Sequence, residues 1–231
     1  MAELGWARFS MNFAGLDLCE FLSTKPRELL DGMLRQGINS PLASSCGRLF
    51  DAAAAAAGVC RERAGYEGQA AVEFEALADP ATLADQSEES AYPFSIPRLK
   101  GNDLPYVEPL AMWQALLGDL VLETPAPVLA ARFHKGLASV IVRLVEKAAR
   151  RQTETTPAAA PIRTAALSGG VFQNKLLLEL VADRLDAAGF RVLIHRQVPP
   201  NDGGLALGQA VVVAARMLAQ EKHPPWRQPC A

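Results

Sequence analysis

Asp51 is an acid set among small and apolar residues: Ser45-Cys46-Gly47-Arg48-Leu49-Phe50-Asp51, followed by the alanine run 52–57. Two kinds of chemistry suit it. It can form a local ion pair with Arg48, three residues earlier on a helix. It can also accept two hydrogen bonds from a ribose diol. A second group lies far along the chain, in Ser168-Gly169-Gly170-Val171-Phe172-Gln173-Asn174. Paired glycines after a strand let the backbone approach a phosphate or ribose closely, and the same pair also serves as a plain tight turn. This is not the Gly-x-Gly-x-x-Gly dinucleotide fingerprint. Asn174, near a helix start, can donate and accept towards a ligand or cap the helix. Asp202, in Asn201-Asp202-Gly203-Gly204, can cap the last helix or ligate a hard or borderline cation.

Other chemistries find little support. His134, His195 and His223 never stand at His-x-x-x-His spacing, and there is no Gly-x-Ser-x-Gly elbow and no Walker loop. His134 on a long helix reads as a core or surface histidine. Cys19, Cys46, Cys60 and Cys230 are scattered, which fits reduced thiols and a cytoplasmic protein. A net charge of -2 gives no electrostatic case for nucleic acid or an anionic membrane. The residues after Met1 form no signal peptide, and no apolar run approaches the ~20 residues of a spanning helix. With 231 residues, half of them apolar, the chain can bury a core in one or two domains.

The elements that must position these groups follow from periodicity and punctuation. Residues 164–167 read as a buried strand stopping at Ser168-Gly169-Gly170. From Asn174, the residues Leu176, Leu177, Leu180, Val181 and Leu185 recur at helical spacing up to Gly189. That helix N-terminus would offer free N–H groups to an anion. Residues 191–195 form a second strand, and a last helix runs from Asn201 or Asp202 to about Leu218. The unit places two glycine turns at strand ends, where open α/β sheets bind ligands. Upstream, helices are predicted near 26–35, 47–57, 70–77, 110–120 and 127–150. Met1 to Thr24 is apolar without a clean period. The stretch 78–109, rich in proline and acid, reads as a hairpin or a loosely packed surface insertion. Residues 152–161 read as an exposed connector and 222–231 as a flexible tail.

Three separated motifs carry a resemblance. Asn39 to Asp51, Tyr66-Glu67-Gly68-Gln69-Ala70-Ala71, and Leu167 to Asn174 with Val198 to Ala210 resemble the HypF family of carbamoyltransferases, in the right order over nearly the whole chain. The matching part is the back lobe of the family's TsaD-like domain. The implied fold is α/β, one lobe of an actin, sugar-kinase and Hsp70-type ATPase domain, with a mixed sheet flanked by helices over residues 1–221. Family members use carbamoyl phosphate and ATP to form carbamoyl adenylate. They then carbamoylate the C-terminal cysteine of a HypE partner during [NiFe]-hydrogenase maturation. The related enzyme TsaD has a ribose-holding Asp in Gly-Glu-x-Phe-Asp, a Tyr-Pro-Gly-Gly loop, a Gly-Gly-Val-x-x-Asn nucleoside motif and a metal-binding Asp. The resemblance therefore implies nucleotide roles for Gly47, Asp51, Gly68, Gly169, Gly170 and Asn174, and a metal role for Asp202. Arg48 and Gln69 depart from TsaD and suit a HypF-like sequence. The implied cofactors are ATP and a divalent metal (iron, zinc or magnesium). The metal would be completed by histidines of a front lobe that is expected to lie outside this chain. An antibiotic O-carbamoyltransferase lobe, a tRNA threonylcarbamoyladenosine-type enzyme lobe, and a non-catalytic partner-binding lobe are the alternatives.

Overall fold

The computed structural model describes residues 5–41, 43–101, 103–156 and 160–222. His223, Cys230 and the expected tail lie outside them. At its centre is one long helix against which four other helices pack. That helix, α8 (Ala126–Thr155), buries Leu129, Phe133, Leu137 and Val140. These are spaced i, i+4, i+8 and i+11, one face of an α-helix. It runs a turn further than its apolar stripe, so part of the expected connector is helical.

Against α8 pack α5 (Gln69–Leu77), α6 (Pro80–Asp85), α7 (Leu110–Val121) and α9 (Lys175–Ala187). α4 (Cys46–Ala56) lies on α5, where the fully buried Ala53 and Ala54 allow close approach. Its N-terminus is capped by Ser45, whose side chain accepts from Arg48 N. The strands β1 (Thr164–Leu167) and β2 (Arg191–Ile194) pair in parallel, Thr164 opposite Arg191. Ala165 and Leu167 point into the core with Leu177, Val181 and Leu185 of α9, the alternation a half-buried strand requires. The expected α/β lobe is therefore present. Among the described residues its sheet has two parallel strands, and antiparallel pairing occurs as isolated bridges Ser95–Glu108 and Arg98–Pro105.

Two stretches differ from expectation. The first residues form α1 (Trp6–Asn12) and α2 (Asp17–Ser23), which sink Phe9, Leu18 and Cys19 into the core. α3 (Arg27–Gln36) follows with no buried residue. In the 78–109 stretch the hairpin reading holds, through the antiparallel bridges Ser95–Glu108 and Arg98–Pro105, while the loosely packed one does not. Besides α6, the stretch buries Tyr92 and Phe94, and Tyr92 N donates to Arg132 O of α8. The Tyr92 hydroxyl donates to Asp119, which also receives Arg132 at 2.8 Å. Gly136 makes this docking possible, because a Cβ there would overlap the Tyr92 backbone.

The last helix, α10 (Leu205–Lys222), stands apart. Its side chains from Leu205 to Ala219 are exposed. Contrary to the sequence reading, residues 202–219 are long and apolar enough, by length and composition, to cross a membrane.

Candidate functional site

The N-terminus of α4, the start of α5, the turn after β1 and the turn before α10 converge on one cavity of about 650 Å³. Gly47, Asp51, Gly68, Gly169, Gly170, Asn174 and Asp202 all line it. Residues as far apart as 47 and 202 meet because α8 holds α5 and α9 side by side, with α4 lying on α5. The volume is in the range of small-molecule sites.

The backbone explains two of the glycines. Gly169 has φ +107° and Gly68 has φ +82°, both in the region that side-chain-bearing residues rarely adopt. Gly68 is the residue before α5, and Gly169 N donates to Pro200 O at 2.7 Å, tying the two turns together. Gly47 and Gly170 meet only ordinary contacts, so space does not dictate glycine at either.

Asp51 does form the local pair: Arg48 Nη1 donates to Asp51 Oδ2 at 3.0 Å. The pair is surface-exposed on the Arg48 side and faces the cavity, so it leaves the second carboxylate oxygen for another donor. Asp202 is not the cap. Asn201 instead caps the short 3-10 turn of residues 202–204 that leads into α10, its side chain accepting from Gly203 N at 3.0 Å. The Asp202 carboxylate is exposed and makes no hydrogen bond or ion pair with the described residues. A single carboxylate is one ligand, and no group of three or more His, Cys, Asp or Glu side chains gathers among the described residues. The donor type fits a hard or borderline cation, and the remaining ligands must come from elsewhere.

Asn174 is buried and caps α9, accepting from Leu177 N through Oδ1 at 2.7 Å. Its Nδ2 lies 2.9 Å from His134 Nε2. Glu75 closes the same helix end. Its Oε1 accepts from Leu176 N at 3.0 Å across 101 residues of sequence. This overturns the expectation that α9 presents free N–H groups to an anion. Two of its first amides are taken by side chains, and one of those side chains is a carboxylate.

Among the described residues the cavity is thus lined by the acids Asp51, Glu67, Glu75 and Asp202 against the single cation Arg48. Such a wall favours hydroxyls, neutral rings or a cation over a bare phosphate. Cys46 also lines it, and burial pushes its thiol up to about 11, so it stays protonated and weakly nucleophilic at neutral pH. His195, at the end of β2, pairs with Ser168 at 2.9 Å beside a second cavity of about 810 Å³. Gly169 N, the amide that follows Ser168, is occupied by Pro200 O, so this pair lacks the oxyanion donor of a serine nucleophile.

Residues 6–209 match the family described as Carbamoyltransferase, Kae1-like Domain, second subdomain. The chain belongs to the HypF carbamoyltransferase family. It is 36% identical over 210 residues to Carbamoyltransferase HypF of Rhodobacter capsulatus, covering 90% of this chain and 25% of that one. It is 37% identical over 195 residues to a Carbamoyltransferase HypF homolog of Cupriavidus necator, covering 83% of this chain and 46% of the relative. A crystal structure of full-length HypF in its phosphate- and nucleotide-bound form superposes with a TM-score of 0.72 at 30% identity. That match covers 94% of this chain and 26% of the other. The chain spans about a quarter of the length of the Rhodobacter capsulatus relative and of the full-length HypF structure.

Glu75 and His134 are the site residues that sequence reasoning missed. Glu75 sits in an ordinary amphipathic helix and its partner is 101 residues away, so no local pattern marks it.

Proposed function

We propose that this chain is the nucleotide-binding lobe of a HypF-type carbamoyltransferase, with the cavity taking the adenosine part of ATP. The observation that carries this reading is the convergence of Asp51, Asn174 and two positive-φ glycines on one nucleoside-sized cavity with an acidic wall. Asp51 would accept from the ribose diol, with Gly169 and Gly170 letting the backbone come close to the sugar. The acidic wall directs the triphosphate away from α9 towards the open side. There Asp202 would give one ligand to a divalent metal (iron, zinc or magnesium) completed by groups outside this chain. The metal, when bound, would supply charge stabilisation at the phosphates. The wider activity would be that of the family: carbamoyl phosphate and ATP give carbamoyl adenylate, and the carbamoyl group passes to the C-terminal cysteine of a HypE-type partner. This lobe's share is binding and orientation. The reading places the protein in the cytoplasm.

Calorimetry with adenosine and ATP, run beside thermal melts, tests it. Asp51→Ala is expected to weaken both ligands by about tenfold, because the charge-assisted hydrogen bonding of its unpaired oxygen to the ribose is lost and water replaces it only in part. Asp51→Asn should lose less. An unchanged affinity with a lower melting temperature would return Asp51 to the role of a helix-surface ion pair. For Asp202, the chain alone should hold no divalent metal tightly. When it is joined to the upstream part of a HypF protein, Asp202→Asn should lower bound metal while the melting temperature holds, since Asn201 remains the cap. Undiminished metal content would remove Asp202 from the ligand set.

A further inference from the structure

We infer that His134 is the positioning residue of this pocket: its ring fixes the Asn174 carboxamide in the orientation that both caps α9 and serves the ligand. The inference rests on the nucleoside reading of the cavity. It starts from hydrogen-bond valence. His134 Nδ1 lies 2.8 Å from Ala130 O, and a carbonyl oxygen only accepts, so Nδ1 carries the proton. Nε2 is then the bare nitrogen of a neutral ring. Asn174 lies 2.9 Å from it and must present Nδ2–H, because an amide oxygen there would meet a lone pair. With Nδ2 so placed, Oδ1 is the atom that receives Leu177 N. A flip of the amide would lose both bonds at once.

The ring is itself held without freedom. His134 is fully buried among Phe50 at 5.2 Å, Phe74 at 6.0 Å and Phe133 at 5.9 Å. Phe50 is the neighbour of Asp51 on α4, and Phe74 is the neighbour of Glu75 on α5. One ring on α8 therefore joins the three walls that carry Asp51, Glu75 and Asn174. Burial also holds His134 neutral, as the acceptor role needs. After its two internal bonds, the Asn174 amide keeps one N–H and one oxygen lone pair. A ribose hydroxyl or the edge of a base offers the matching acceptor and donor. A rotatable amide could present either end. A fixed one selects the ligand, at no ordering cost on binding.

The test uses the 231-residue chain, with adenosine as the probe. Asparagine side-chain amides are followed by nitrogen-15 NMR, and affinity by calorimetry. In the parent, one Asn174 Nδ2 proton should exchange slowly with solvent, and fast exchange of both overturns the proposal without any variant. His134→Phe keeps a buried ring and removes the acceptor. It should abolish that protection and weaken adenosine roughly tenfold, as far as Asn174→Ala does. The double variant should be no weaker than Asn174→Ala alone. His134→Gln, whose oxygen can accept from Nδ2, should restore part of both signals. Additive losses, or an unaltered affinity in His134→Phe with a lower melting temperature, overturn the role of His134 and leave the nucleoside reading standing. A parent that binds neither adenosine nor ATP, yet keeps the protected proton, overturns the nucleoside reading and with it the function assigned to the fixed amide.

Discussion

Asn174 and His134 show how much of a site single residues reveal before folding. In sequence, Asn174 reads equally as a cap or a ligand group; in the structure its oxygen caps α9 and the residue also lines the cavity. Asp51 is similar, since its ion pair with Arg48 and its place in the cavity wall coexist. Both were legible because a polar residue at the edge of an apolar helix is conspicuous locally. His134 was not, since a histidine on a helix gives no sign of what stands opposite it 40 residues later. Its environment makes a pH prediction. Burial lowers its pKa from 6.5 to about 4, so the unfolded chain binds a proton between those values that the fold excludes. Stability from this group is therefore full above about pH 6.5 and lost as pH falls towards 4. The loss amounts to roughly 3 kcal/mol if the whole shift is expressed. Protonation would also put a donor against the Asn174 Nδ2 donors and break the α9 cap. Denaturant melts from pH 7 to pH 4 should show this slope, and His134→Gln should flatten it. Equal slopes in both proteins would mean that other groups govern acid unfolding.

At the scale of elements, periodicity served the long helices well and the irregular stretch poorly. The bounds of α9, β1 and β2 and the start of α8 follow, to within a residue, from apolar spacing and from punctuation such as Gly189, which takes φ +81° just after α9. The burial of Tyr92 and Phe94 and the docking of Tyr92 on α8 leave no such trace. The docking depends on Gly136, which reads only as a weak helix position, and on a tyrosine whose partner Asp119 belongs to another helix. The same limit hid the closure of α9 by Glu75. A helix start looks free until the structure shows which side chain has taken its amides. The Gly136 contact can be tested directly. Gly136→Ala should raise helix propensity by up to about 1 kcal/mol, and on an isolated helix it would stabilise. Here the added methyl group meets the Tyr92 backbone, which cannot swing away without giving up Tyr92 N to Arg132 O. The net change should be a loss of about 2 kcal/mol, a fall of about 4–8 °C in melting temperature for a chain this size. Adenosine affinity should move little, since the contact lies outside the cavity lining. A higher melting temperature would show that the Tyr92 backbone is not seated on α8.

The whole molecule poses a problem that neither residues nor elements resolve alone, and α10 states it. Leu205, Leu207, Val211, Val212, Val213, Met217 and Leu218 are each between 49 and 62 % exposed. At 100° per residue these positions are spread around the helix instead of forming one stripe, and a helix apolar on all sides is built to be surrounded. Its root is fixed at the Asn201–Gly204 turn beside the cavity, so whatever covers it also borders the site. Full-length HypF relatives carry about three-quarters of their length outside the matched region, ample chain to do the covering. When this chain is alone in water, copies of α10 are the nearest apolar surface for one another. Light scattering over a concentration series should therefore show reversible association rising with concentration. Val212→Glu with Leu218→Glu should return the chain to a monomer, because two buried carboxylates cost more than the contact gains. The fold should survive the double change, since neither side chain is part of the core around α8. Two results would defeat this account. One is a monodisperse monomer at all concentrations. The other is co-flotation of the parent with neutral lipid vesicles in place of self-association, which would assign the length and apolarity of residues 202–219 to a bilayer.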